Sequence, residues 1–187
     1  MTQLLSKLIL RLVGWKYKRT VPYIKKSVVC VAPHTSNWDF IIAKLSYTAT
    51  APGMPRFFMK KEWFFFPLGL LLTAIGGIPV NRKKRGSLTE EVAAEFAKRD
   101  SFHIGVTPEG TRKPVKEWKK GFYHIALKAE VPIQLAYIDY HKKECGITKI
   151  FYPTGNEKED ILEIRRFYDT VTARFPKQFY KPNAKIG

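Results

Sequence analysis

Apolar positions along this chain fall into short blocks whose period switches between two and about four. The run SVVCVA at 27–32 is rich in β-branched residues, closes on Pro33 and predicts a buried strand. Over 38–48 the apolar residues Phe40, Ile41, Ala43 and Leu45 take helical spacing. Residues 56–59 and 77–80 read as two further short strands. The segment 88–98 predicts a helix capped by Ser87 or Thr89, with Glu90 and Glu91 in a first turn whose dipole favours acids. A strand over 102–106, a helix over 121–129 and an alternating strand over 132–140 follow. After the turn-like HKKECG, residues 147–152 predict a strand hairpin-paired to its predecessor, and a last helix runs over 157–174. Strands alternating with helices predict an α/β fold, a single domain with a mainly parallel sheet flanked by helices.

Two segments depart from this alternation. Leu4, Leu5, Leu8, Ile9 and Leu12 recur at three-and-four spacing, followed by Trp15, Lys16, Lys18 and Arg19. This describes an N-terminal amphipathic helix with basic flanks, suited to a bilayer interface or to packing on the core. The division expected is therefore 1–20 as a membrane-interface helix and 21–187 as the domain proper. Lys7 and Arg11 interrupt the apolar stretch and no small-residue cleavage site follows, which argues against a secretory signal. The second segment, WFFFPLGLLLTAIGGIPVN at 63–81, carries no charge. Pro67, Gly69 and Gly76-Gly77 break it, so a short helix lining an apolar cleft or dipping into a membrane surface is expected rather than a span.

Charge narrows the partners. Across 187 residues, 33 Lys plus Arg against 16 Asp plus Glu leave a net charge of +17, a field that attracts nucleic acid, anionic headgroups or an acidic protein. Cys30 and Cys145 form no CxxC pair and no disulfide framework, which fits a reducing setting.

In a parallel sheet, sites form beyond the carboxyl ends of the strands. His34 stands at such an end, and Asp39 follows within what would be the first helical turn. A neutral imidazole takes a proton near pH 7, and a carboxylate on its other nitrogen fixes the tautomer. Five steps along a helix do not share a face, so His34 must precede the helix. Thr35, Ser36 or Asn37 would cap it, with Asp39 reaching back. Asn81 and Arg82 close another strand, and Glu109, Gly110, Thr111 and Arg112 follow a third. Arginine offers a planar fork for a phosphate or carboxylate, and the glycine permits close backbone approach. Glu109 is open to pairing with Arg112 or to receiving a substrate hydroxyl. His103, His124 and His141 fall in a strand, a helix and a turn, and read as structural.

HTSNWD, GGIPVNR, TPEGTR and VPI, in this order across residues 33–133, resemble the motif blocks of the PlsC-type glycerolipid acyltransferases. The resemblance implies the glycerolipid acyltransferase fold, with His34 as general base and Asp39 orienting it. It also implies that Asn81, Arg82, Glu109, Gly110, Thr111 and Arg112 line the acceptor site. Val131-Pro132-Ile133 would belong to the acyl-donor side or the core. The reaction implied moves an acyl group from an acyl carrier protein or coenzyme A thioester to an anionic lysolipid. The expected acceptor is 1-acylglycerol-3-phosphate, giving phosphatidic acid, with a lyso-amino-acid lipid as the alternative. No cofactor or metal is expected. The place implied is the cytoplasmic face of a membrane, peripheral or monotopic. Backbone N–H groups at the His34 turn or the Glu109-Gly110 turn would hold the oxyanion.

Two rival readings remain. Ser36 as the nucleophile of a hydrolase lacks a GxSxG elbow. A basic nucleic-acid-binding module would use KEWKKGFYH at 116–124, where cations interleave with aromatics, but no recognised motif accompanies it.

Overall fold

The structure, a computed structural model, describes residues 2–53, 55–80 and 85–181. Among the described residues seven strands form one sheet in the order β1-β7-β6-β2-β5-β3-β4. They are β1 (Lys16–Arg19), β2 (Lys26–Ala32), β3 (Arg56–Lys60), β4 (Gly77–Val80), β5 (Phe102–Val106), β6 (Ile133–Asp139) and β7 (Glu144–Phe151). The run from β6 to β4 is parallel throughout, while β7 lies antiparallel to β6 and carries β1 parallel to itself at the edge. The expected mainly parallel α/β sheet is what forms.

Strand alternation explains the layers. Val28, Cys30 and Ala32 of β2 point to one face, where α4 (Arg85–Lys98), α5 (Gly121–Lys128) and α6 (Glu157–Phe167) pack through Phe96, Phe122, Tyr123 and Ile164. Val29 and Val31 point to the other face, covered by α2 (Asn37–Thr50) through Tyr47 and its neighbours. Beyond α2 lies α1 (Gln3–Leu12), joined to it in a cluster of Leu10, Trp15, Ile42 and Leu45. A strand buried on both faces reads as a continuous apolar run, which is why SVVCVA was legible.

Several boundaries differ from expectation for identifiable reasons. The helix expected within residues 1–20 is confined to Gln3–Leu12, because Lys16–Arg19 leave it to pair with β7. Its Leu4, Leu5, Leu8 and Leu12 stripe stays exposed, and Ser6 and Leu10 face inward instead. HKKECG is only partly a turn: Glu144, Cys145 and Gly146 already pair with β6. Gly146 serves close strand approach, since a Cβ there would meet the Lys18 carbonyl oxygen at 1.9 Å. The helix over 88–98 starts earlier, at Arg85, so Ser87 and Thr89 are not its caps and Glu90 and Glu91 lie beyond its first turn. The last helix stops at Phe167 rather than 174, and the chain after it folds back, with Val171 and Ala173 buried.

The charge-free segment follows from a 3-10 turn at Lys61–Trp63 and resolves into α3 (Leu68–Ala74) and β4. Among the described residues no helix is long and apolar enough to cross a membrane. Trp63, Phe65, Phe66, Leu70 and Leu71 are all exposed, Phe66 at 84%.

Candidate active site

Three adjacent strands deliver the site. In the order β6-β2-β5, the chain leaves β2 into Pro33-His34, β5 into Pro108-Glu109, and β6 into Tyr140, all at the carboxyl end of the parallel sheet. Ser36 caps α2, its Oγ accepting from Trp38 N at 3.2 Å. Asp39 answers from the third helical position, Oδ2 accepting from Ser36 N and Thr35 N, both at 2.7 Å. This reciprocal cap satisfies the first amide donors of the helix and turns Asp39 back toward His34. The Ser36 side chain is thereby committed to capping and buried, which removes it as a nucleophile.

His34 Nδ1 lies 3.4 Å from Asp39 Oδ2, a close electrostatic contact longer than a formed hydrogen bond. The reason is visible at the acceptor, where two backbone donors already occupy Oδ2. Asp39 is 1% exposed, while His34 keeps 20% of its side chain accessible, leaving Nε2 as the ring nitrogen for a substrate proton. Burial opposes the Asp39 charge. The contact with His34 and the hydrogen bonds from Tyr140, Ser36 and Thr35 together outweigh that penalty and hold the carboxyl below its ordinary value. The pair therefore presents an ionised carboxylate behind an accessible imidazole.

Glu109 takes a different place from the two left open for it. It is buried, and Oε1 accepts from His34 N at 2.7 Å. Burial pushes its carboxyl up to about 8, the His34 N–H acts against that rise, and the Asp39 charge adds to it. Glu109 thus fixes the backbone on which the imidazole stands. Four of the backbone donors at the two turns expected to hold the oxyanion are already engaged: His34 N serves Glu109, Thr35 N and Ser36 N serve Asp39, and Gly110 N bonds Thr107 O. Gly110 takes a φ of +65°, a conformation glycine adopts without cost.

Arg112 is exposed at the rim, where Nη1 donates to Asn37 Oδ1. Thr111 Oγ1 accepts from Lys113 N at 3.3 Å and so shapes the turn. Asn81 and Arg82, expected at the acceptor site, lie outside the described residues. Val131 and Ile133 belong to the core. An apolar pocket between α2 and the sheet is lined by Val29, Val31, Tyr47, Phe57 and Ile138, none of them a site residue.

Two site neighbours escaped the sequence reading. Tyr140 donates from its hydroxyl to Asp39 Oδ1 at 2.7 Å. Arg174 lies over the rings of Trp38, Tyr140 and Phe175. Tyr140 carried a signal, because the β2–β6 register pairs Ala32 with Tyr137 and, continued three residues, sets Tyr140 beside Thr35. Arg174 carried none, standing 135 positions after Asp39 in a segment expected to be helix.

The remaining histidines have other work. His103 is buried at the opposite end of the sheet, within 2.8 Å of Ser27 Oγ, and burial then the Arg19 charge lower its pKa to about 4. His124 Nε2 stands 3.0 Å from Glu157 on the surface.

The family model described as Acyltransferase matches residues 13–138. Among curated proteins, human 1-acyl-sn-glycerol-3-phosphate acyltransferase beta is 26% identical over 135 residues, covering 68% of this chain and 48% of the relative. The chain spans about half the length of that curated relative. No solved structure matches it.

Proposed function

The chain belongs to the acyltransferase family, and from that membership we propose that it transfers a fatty acyl group from a thioester to the free hydroxyl of an anionic lysolipid. The observation that carries this reading is the held pair at the end of β2: an accessible imidazole backed by a buried, fully hydrogen-bonded carboxylate. In this mechanism His34 Nε2 removes the acceptor proton as its oxygen attacks the thioester carbonyl. The tetrahedral intermediate collapses, the thiolate leaves, and the imidazolium returns the proton to it. Asp39 keeps the tautomer and offsets the imidazolium charge, and Glu109 anchors the histidine backbone. Arg112, with Arg82 assigned on the motif resemblance, supplies charge for the acceptor's anion.

The acceptor we favour is 1-acylglycerol-3-phosphate, the substrate in the human relative's name. A lyso-amino-acid lipid offers the same anion and hydroxyl. The donor is an acyl carrier protein or coenzyme A thioester, and the net charge of +17 suits an acidic carrier as well as an anionic bilayer. Peripheral docking on a membrane is supported by the outward leucines of α1 and the exposed aromatics around α3. Two exposed apolar elements fit a lipid surface better than a nucleic acid.

The test is incubation of purified protein with labelled acyl thioesters and a panel of lysolipids, followed by mass spectrometry of the products. Diacyl product from an anionic lysolipid is expected. Release of free fatty acid alone, or tight nucleic-acid binding without vesicle binding, would reject the proposal.

A further inference from the structure

We propose that Tyr140 is a positioning residue for the base, its hydroxyl fixing Asp39 so that the carboxylate stays turned toward His34. The proposal rests on the acyl-transfer reading above, and Tyr140 lies beyond the residues 13–138 that the family match covers.

The two oxygens of Asp39 are held unequally. Oδ2 takes the Thr35 and Ser36 amides and faces the imidazole. Oδ1 takes the Tyr140 hydroxyl, at 2.7 Å. With Oδ2 alone secured, the carboxylate plane pivots about that oxygen; a donor on Oδ1 is the point that stops the pivot. Tyr140 is itself fixed from three directions. The Trp15 ring meets it edge-on at 5.1 Å, the Arg174 guanidinium lies 5.9 Å from its ring centre, and its amide donates to Thr172 O at 2.9 Å. The N-terminal segment, the end of β6 and the C-terminal return therefore converge on one phenol. Burial, then the hydrogen bond to Asp39 and its charge, raise its pKa against the influence of Arg174, so the hydroxyl remains a proton donor. A phenol serving only to fill space would not need its oxygen aimed at a carboxylate that is already 1% exposed and doubly bonded.

The test compares wild type, Tyr140→Phe, Asp39→Asn and the double variant in steady-state acyl transfer. Y140F is expected to lower kcat about 10- to 100-fold, the factor a charge-assisted hydrogen bond is worth, with both KM values unchanged. D39N costs at least as much, and Y140F adds nothing to it, because Tyr140 acts through that carboxylate. A second readout needs no turnover: in NMR hydrogen exchange the Thr35 and Ser36 amides lose protection in Y140F. They keep it in Tyr23→Phe, which alters a contact to His103 at the other end of the sheet. A kcat within about twofold of wild type with only Tm lowered would assign Tyr140 to packing and overturn the proposal. Multiplying effects in the double variant would do the same. If wild type transfers no acyl group, the functional proposal fails, and the exchange result alone decides: unchanged protection rejects the role of Tyr140, lost protection upholds it.

Discussion

Replacing Glu109 with glutamine separates the charge of the buried carboxyl from its hydrogen bond to His34. Glutamine keeps a carbonyl oxygen to accept from His34 N, now made by Glu109 at 2.7 Å, but cannot ionise. In the folded chain burial raises the Glu109 pKa from 4.5 to about 8. A carboxyl raised on folding contributes fully below the unfolded value, and that contribution is lost as pH climbs through the folded one. At about 1.36 kcal/mol per pH unit of displacement, wild type should lose at most about 3–4 kcal/mol between pH 5 and pH 8 through this residue. E109Q should not. Urea unfolding at several pH values measures the gap, and E109Q should gain on wild type steadily as pH rises. Glu109→Ala serves as the control: the His34 amide is left without its acceptor, at about 1–3 kcal/mol relative to E109Q at every pH. Parallel pH–stability curves for wild type and E109Q would refute the assignment of a buried, neutral carboxyl.

Arg112→Gln should raise the KM for the lysolipid about tenfold and leave that for the thioester unchanged, as read from initial rates. A change confined to the donor would move Arg112 to the other side of the site. Replacing Phe66 and Leu70, 84% and 67% exposed, with serine should cut association with anionic vesicles more than tenfold in flotation without lowering Tm. Unaltered flotation would place the membrane contact elsewhere. Burial pushes the thiols of Cys30 and Cys145 up to about 12 and about 11, so neither should alkylate with iodoacetamide until the chain unfolds. Equal labelling of folded and unfolded protein would contradict that burial.

The elements most legible in the sequence were those whose pattern records burial on both faces. SVVCVA, bounded by Pro33, reads as a central strand because both sides of β2 are covered. His34 and Asp39 were legible because a strand end and an N-cap constrain one another over six residues. Less legible was whatever depends on contacts distant in sequence. β1 is four residues, KYKR, with no apolar alternation, and forms because β7 offers it an edge. Gly146 looked like a turn residue, although it answers to Lys18 across the sheet. Glu109 could be placed near the site but not assigned its partner, since a carboxylate beside EGTR reads equally as facing a ligand or a backbone amide. Tyr140 needed the β2–β6 register, and Arg174 needed the backward path of the chain after α6.

The central claim is that His34 takes the acceptor's proton, and single-turnover acyl transfer by His34→Ala measures it most directly. With lysolipid and thioester both saturating, and folding verified by an unchanged far-UV spectrum and Tm, the rate should fall about 100- to 10,000-fold. Both substrates should still bind. A folded H34A protein that forms product within a few-fold of the wild-type rate would contradict the account.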